Sequence, residues 1–465
     1  MPQITTLPPL AGTAPPPAKP LSLFESLRAA KGNPFETMPL AAYEQPIYEQ
    51  KSVFGRMLMI SDPEGVRRVL VDNVANYPKN EMSDRFFSAM FGEGLLSTDG
   101  AKWRAHRKVM APSFDPRSVA AYAPAMAEAA NAFAERWAAR PDGAPIDNAE
   151  EMKTLTLEII CRTMFSSDAD ELVAVAGDAF NRSQDALAFS VLDILPIIGP
   201  RRIKAKQDAI RADFRVMDAA IHRMIAAREQ NPAAPKDLLG RLIAARNPDD
   251  GAGLSASEAR DEVITIFMAG HETTAVTMTW VWYLLSQRPD EAAKLHAELD
   301  AVLGDRAPTA EDLPRLAYAR MVVEEAMRLY PPAPAVSIRI ARGVDEICGV
   351  KVRRGDQIFV SPWLLHRHRQ LWDDPMRFDP ERFTPERSAG RPRFAYLPFG
   401  GGPRVCIGAS LAMTEATLIL AALARRFRPR LADGADVRLQ SRITLRPAGG
   451  MPMTLARRPI APASR

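Results

Sequence analysis

Asp261–Gln287 reads as one uninterrupted helix, roughly 40 Å long at 1.5 Å per residue. Its flanks, Val263–Phe267 and Ala275–Leu285, are apolar or nearly so. A helix apolar around its circumference is buried. A buried rod of that length requires a large, mostly helical body around it. Its centre, Ala269-Gly270-His271-Glu272-Thr273-Thr274, is polar. An acid and two hydroxyls in a buried helix cost free energy unless they are paired or used. Gly270 leaves room for a ligand against the helix, and a threonine hydroxyl can bond the carbonyl one turn back and bend the helix there.

The rest of the chain fits that body. Its 465 residues are 47% hydrophobic and 25% charged, a soluble globular composition, and the formal charge of +4 gives no case for nucleic-acid binding. Further helices are expected at 63–73, 101–110, 117–140, 150–165, within 172–230, at 316–330 and after Cys406. Strands are expected at 53–60, 337–341, 350–360 and within 437–455. The fold class is therefore mainly α with minor β. Residues 1–30 are expected to form a flexible proline-rich lead, and 31–465 a single domain. Residues 1–20 carry Pro8, Pro9, Pro15, Pro16, Pro17 and Pro20 but no apolar run of the kind found in a signal peptide or anchor.

Phe399-Gly-Gly-Gly-Pro-Arg-Val-Cys-Ile-Gly408 places one cysteine, Cys406, in a glycine-rich loop before an apolar helical run. A helix start offers free N–H groups and partial positive charge to a thiolate. Gly402 and Gly408 let backbone approach a flat macrocycle. Phe399 can shield the sulfur, and the planar fork of Arg404 suits a carboxylate such as a haem propionate. Structural zinc needs four Cys/His ligands. The chain has only Cys161, Cys348 and Cys406, far apart, which also excludes a disulfide framework. A lone thiolate in this setting points to haem iron. His271-Glu272 does not begin a zinc-protease His-Glu-x-x-His motif, because position 275 is alanine.

The loop pattern Phe-x-x-Gly-x-Arg-x-Cys-x-Gly resembles the haem-binding loop of the cytochrome P-450 superfamily, in its soluble bacterial form. Ala269, Gly270, Glu272 and Thr273 match that family's oxygen-activation motif. Glu325 and Arg328 match its Glu-x-x-Arg pair, Arg382 its later arginine, and Trp103 with Arg107 its Trp-x-x-x-Arg motif. The matches run in order, and the resemblance covers about 53–455. It implies a helical haem domain with a small β-rich lobe, haem b ligated by Cys406, and a monooxygenase that inserts one oxygen atom into a hydrophobic molecule. Thr273 and Glu272 are then the proton-handling pair. Trp103, Arg107, Arg339 and Arg404 become propionate partners, with His106 and His366 possible additions. Glu325, Arg328 and Arg382 form a charge network bracing the haem loop. A peroxide-driven peroxygenase, a rearranging enzyme and a non-catalytic haem sensor are the alternatives.

By the same family layout, substrate contacts fall on Phe86, Phe87, Met90, Phe91, Phe267, Ala269, Ala333, Val336 and Ile338. These apolar positions suit a lipid, terpenoid, steroid or aromatic compound. The remaining length holds no flavin or nicotinamide domain, so a ferredoxin or flavodoxin with an NAD(P)H-dependent reductase is the expected electron source. Arg104 and Lys108, beside Lys102, are the expected surface for an acidic partner. Ile194–Ile198, with the basic residues Arg201 to Lys206, reads as a loop at the substrate entrance, at a membrane surface or packed against its own domain. A cytoplasmic monomer is expected.

Overall fold

The computed structural model describes residues 10–12, 15–21, 33–52, 55–80, 87–88, 91–166, 198–230, 237–336 and 338–458. The framing helices are α1 (Gly100–Met110), α2 (Pro116–Ala138), α3 (Asn148–Phe165), α4 (Ile198–Gln230), α5 (Leu238–Ala244), α6 (Ala256–Gln287), α7 (Pro289–Leu303), α8 (Ala317–Leu329) and α9 (Ala409–Ala424). The central helix α6 starts at Ala256 rather than Asp261. Ser255 and Glu258 form a reciprocal capping box there: the Ser255 hydroxyl accepts from the Glu258 amide at 3.3 Å, and the Glu258 carboxylate accepts from the Ser255 amide at 2.9 Å. α3 and α8 pack against α6, and α9 packs against α2 and α8. The basic stretch from Arg201 to Lys206, expected in a loop, lies in the first turns of α4. Ile194–Ile197 lie outside the described residues.

The strands are β1 (Ile47–Ser52), β2 (Gly55–Ile60), β3 (Ala144–Asp147), β4 (Arg339–Ile340), β5 (Asp345–Ile347), β6 (Val350–Val352), β7 (Gln357–Val360), β8 (Arg430–Leu431), β9 (Leu439–Ser441), β10 (Leu445–Pro447) and β11 (Pro452–Leu455). The largest sheet runs β1-β2-β7-β4. In it β2 pairs parallel to β7, with Met57 opposite Gln357, while the other pairings are antiparallel. The expected strand at 350–360 is two strands, because the turn around Gly355, at φ +91°, breaks it.

Two hydrophobic cores result. The larger is helical and contains α6. The smaller belongs to the β lobe and includes Leu58, Ile60, Leu70, Ile358, Phe394 and Leu397. Part of the N-terminal lead packs on the helical core. Leu10 is buried, the Ala11 amide donates to the Tyr283 hydroxyl at 2.8 Å, and the Tyr330 hydroxyl donates to the Ala11 carbonyl at 2.8 Å. This segment pins the C-terminal end of α6 to the end of α8.

Glu325 and Arg328, one turn apart on α8, are both fully buried. A buried guanidinium is tolerable only if its five N–H donors are satisfied. Arg328 donates to both Glu325 carboxylate oxygens (2.6 and 2.8 Å) and to the carbonyls of His366 (2.8 Å), Pro375 (2.8 Å) and Arg377 (3.0 Å). Glu325 also accepts from the Asp379 amide at 2.9 Å and faces Arg382 Nε at 3.4 Å. Removing one partner leaves a buried charge uncompensated. Arg328→Leu is expected to destabilise the protein by about 3–5 kcal/mol in chemical denaturation. Arg320→Leu, which breaks the partly exposed pair with Glu324, should cost under about 1 kcal/mol. Similar losses in the two variants would show that the buried network has no special weight.

Candidate functional site

The cysteine loop joins the two cores. Leu397 is buried in the β-lobe core, whereas Phe399 and Ile407 lie against the helical one. The Gly400 amide donates to the Leu397 carbonyl at 3.2 Å, and the Cys406 amide donates to the Phe399 carbonyl at 2.9 Å. Both Gly400 and Gly402 have φ of +70°. A Cβ on Gly402 would stand 2.0 Å from the Leu70 carbonyl oxygen, so this glycine serves the close approach of loop and β lobe rather than a macrocycle. Gly408 differs, because nothing lies within 4 Å of where its Cβ would be. Cys406 itself is solvent-accessible. Surrounding protein pushes its thiol up, against the Gly408 amide and the Arg107 charge, which pull it down. Those two pulls are outweighed, so a stable thiolate here calls for a further cation such as a metal ion.

α1 carries a cation, Arg107, within electrostatic reach of the Cys406 sulfur. Arg107 is half-buried, and burial pulls its pKa down while Cys406 raises it. Among the described residues no carboxylate pairs with it. The Trp103 ring is covered by the Arg404 guanidinium at 4.2 Å, and its indole N–H has no partner among the described residues. Arg404 also bonds the Thr98 carbonyl (3.1 Å) and the Asp99 carboxylate. A guanidinium and an indole N–H one turn apart on α1 fit two carboxylate groups of a haem. Arg339 lies buried on the edge strand β4.

Two expected propionate partners are otherwise engaged. His106 turns the other way, its Nδ1 lying 2.7 Å from Glu262 and its Nε2 3.3 Å from Glu258, both on α6. His366 is fully buried, and its Nε2 accepts from the Leu397 amide at 2.8 Å. Burial, with the charges of Arg328 and Arg367, holds it well below the usual histidine range. It is a neutral brace for the cysteine loop.

Along α6 a narrow accessible strip interrupts a buried helix. Ala269 is exposed and Gly270 and Thr273 partly so, while Val263–Met268 and Thr274–Leu285 are buried. The Thr273 hydroxyl donates to the Ala269 carbonyl at 2.7 Å, which turns its lone pairs outward. A Cβ on Gly270 would meet Ile160 Cδ1 of α3 at 3.2 Å, so its missing side chain serves helix packing. Glu272 is buried beside the strip and accepts from the Thr444 hydroxyl of the β9–β10 turn at 3.0 Å.

Glu415 was not singled out from the sequence. It is the only carboxylate between Cys406 and Leu423, and an acid in so apolar a helix is a readable signal. Fully buried on α9, it accepts from Thr274 at 3.2 Å, and burial pushes it up to about 8.

The expected substrate residues separate. Phe267 is fully buried against Phe165 and His271, and Phe91 is buried and stacked on Phe87, so neither reaches the strip's open side. Val336 packs on the β-lobe core. Ala269 and Ala333 are exposed, and Phe87 and Ile338 partly so. Phe86 and Met90 lie outside the described residues. A separate cavity of about 260 Å³, between Gly12, Pro15, Pro16, Trp363 and Arg367, contains none of these groups.

Two substitutions test this reading of the site. Gly402→Ala should lower the melting temperature more than Gly400→Ala, which meets nothing within 4 Å; equal shifts would mean that backbone strain alone matters. Glu415 keeps its proton to about pH 8 when folded and loses it near its ordinary 4.5 when unfolded. Stability should therefore fall as pH rises between these values, by a few kcal/mol (~1.4 per unit), and Glu415→Gln should remove that slope. A wild-type profile flat across this window would refute the burial effect.

The family model described as Cytochrome P450 matches residues 15–451. Cyclooctatin synthase of Streptomyces melanosporofaciens is 36% identical over 392 residues, 82% of this chain and 83% of that protein. Pentalenene oxygenase of Streptomyces avermitilis is 34% identical over 377 residues, 81% of this chain and 82% of its own. The crystal structure of the cytochrome P450DA heme domain superposes with a TM-score of 0.85 at 26% identity, covering 96% of this chain and 98% of that one. By sequence match, by fold and by the cysteine loop, the chain belongs to the cytochrome P450 family of haem-thiolate monooxygenases.

Proposed function

We propose that the protein oxygenates a terpenoid, most simply by hydroxylation, with haem b held by Cys406, in the cytoplasm. One atom of dioxygen enters the substrate. The other leaves as water, using two protons and two electrons from a ferredoxin or flavodoxin that an NAD(P)H-dependent reductase has reduced. The observation that carries this reading is the accessible strip of Ala269, Gly270 and Thr273 in an otherwise buried helix, together with an accessible Cys406 just before α9, which packs on that helix. The relatives named for cyclooctatin and pentalenene support the terpenoid class. Among the described residues no helix is long and apolar enough to cross a membrane.

Haem, when bound, supplies the oxygen-splitting chemistry, and the thiolate favours O–O cleavage. The protein's own residues do the rest. Trp103 and Arg107 orient the cofactor through its carboxylates. Ala269 and Ala333 offer an apolar surface that keeps bulk water from the reacting carbon. Thr273, its proton engaged by Ala269, accepts a hydrogen bond from a donor in the pocket and gives one only if that internal bond breaks. Glu272, fixed by Thr444, is the nearby proton store. The expected partner surface is reduced, because Lys102 pairs with Glu93 and Lys108 with Asp249, which among the described residues leaves Arg104 as the exposed cation of this patch without an ion pair.

Cys406→Ala should abolish the thiolate-type spectrum of the reduced carbon monoxide complex, and its persistence would remove the basis of this reading. Thr273→Ala should divert reducing equivalents to peroxide or water, lowering product per electron about tenfold or more; undiminished coupling would end the proton-handling role. A panel of cyclic terpenes, steroids and fatty acids, screened by spin-state change in the haem spectrum, tests the substrate class. Response to steroids or fatty acids alone would overturn the terpenoid assignment.

A further inference from the structure

The pairing of His106 with α6 has consequences beyond the lost propionate contact. Glu262 is fully buried, and its second oxygen accepts from the Leu95 amide at 3.1 Å. One residue earlier on the helix, Asp261 accepts from the Glu93 amide at 2.7 Å. The 92–99 segment lies directly on α6. A Cβ on Gly94 would stand 2.3 Å from the Thr265 hydroxyl, and one on Gly92, at φ +61°, 2.2 Å from the Asp261 carboxylate. The far end of this segment is Thr98-Asp99, whose oxygens hold Arg404, two residues before Cys406. Asp99 also caps α1 through the Gly100 amide at 2.7 Å. A continuous set of bonds therefore runs from α6 through the 92–99 segment to the cysteine loop. His106 closes it from α1, one residue before Arg107.

We propose that His106 is a positioning residue for the cofactor. Bonded through both ring nitrogens to Glu262 and Glu258, it clamps α1 and the 92–99 segment to α6 and so sets where Arg107 and Arg404 stand. This rests on the reading of Arg107 as a haem carboxylate partner. An imidazole that donates from both nitrogens carries a proton on each, so the full clamp is the imidazolium form. The charged groups facing it are Glu258, Glu262 and Asp261 of α6, Lys102 of α1, and Glu93. Lys102 pairs with Glu93 and approaches Glu258 at 3.9 Å, while Asp261 pairs with Arg260. Burial pulls His106 down, but the bonds and charges of Glu262 and Glu258 outweigh it and hold it above the usual histidine range. Burial pushes Glu262 up, against His106 and the Leu95 amide. A group whose folded pKa is raised gives its full stabilisation at low pH and loses it as pH climbs through that raised value. The clamp is therefore strongest in mild acid and weakens toward alkaline pH.

The test is the rate of haem transfer from the purified holoprotein to an excess of an acceptor apoprotein, followed by absorbance between about pH 6 and 9. Wild-type release should accelerate with pH. His106→Phe should release about tenfold faster at the acid end and show no rise with pH. His106→Gln, which keeps one donor and cannot titrate, should fall between them and also be flat. Glu262→Gln should blunt the pH dependence from the other side and guards against a His106 variant that fails to fold, which circular dichroism of each variant checks. Arg107→Leu should release fast at every pH. If His106→Phe keeps the wild-type rate and pH profile while Arg107→Leu is fast, the clamp is wrong and the carboxylate reading stands. If Arg107→Leu leaves release unchanged, that reading fails and the clamp has nothing to position.

Discussion

The Arg328 guanidinium is the point on which the geometry of this protein turns. It is fully buried, and every N–H is spent on Glu325 or on a carbonyl of the 366–377 segment. The Trp372 ring lies 5.1 Å from it. A buried ion pair is weak evidence of stability, since desolvation consumes much of the attraction. Its value here is directional. Three backbone carbonyls are fixed relative to α8, and one belongs to His366. The ring of that same residue accepts from Leu397, where the chain enters the cysteine loop. A charge on a core helix thus sets, through two residues, where the loop carrying Cys406 begins.

The loop would be useless if it floated. Its start is buried in the β-lobe core and its end in the helical core. Gly402 brings it onto the Leu70 carbonyl, a distance no other residue permits at φ +70°. Cores are close-packed and resist small displacements, so a loop anchored in both inherits their rigidity. That lets the sulfur stay accessible while the backbone on either side is held.

Much of this was legible in the chain because the chemistry demands residue types at set spacings. The ordered motifs from Trp103 to Cys406 and the long apolar helix led to the family and the fold class. What failed was direction. His106 and Arg107 are adjacent in sequence, and each step along a helix turns the side chain by about 100°. His106 therefore meets α6, while the charge of Arg107 acts on the Cys406 sulfur. Phe267 lies close to the strip in sequence, but the same rotation buries it against Phe165. Gly270 packs against Ile160 of α3, a tertiary neighbour no spacing reveals. β1, Ile47-Tyr-Glu-Gln-Lys-Ser, is too polar to stand out and exists because β2 offers it a partner.

The central helix draws these strands together. Glu262 near its start meets His106; Thr273, about 16 Å further on, lines the open strip; Tyr283, another 15 Å on, is pinned by Ala11. A rod held near both ends transmits force poorly to its middle if it stays straight. Here the middle is where Ala269, Gly270 and Thr273 interrupt the buried surface, while the hydroxyls of Thr265, Thr273, Thr277 and Thr279 all bond back one turn along the helix. Helices yield where side chains intrude on the backbone ladder. The His106 contact near its start and the Ala11 contact near its end therefore leave the accessible strip between two fixed points of one continuous helix.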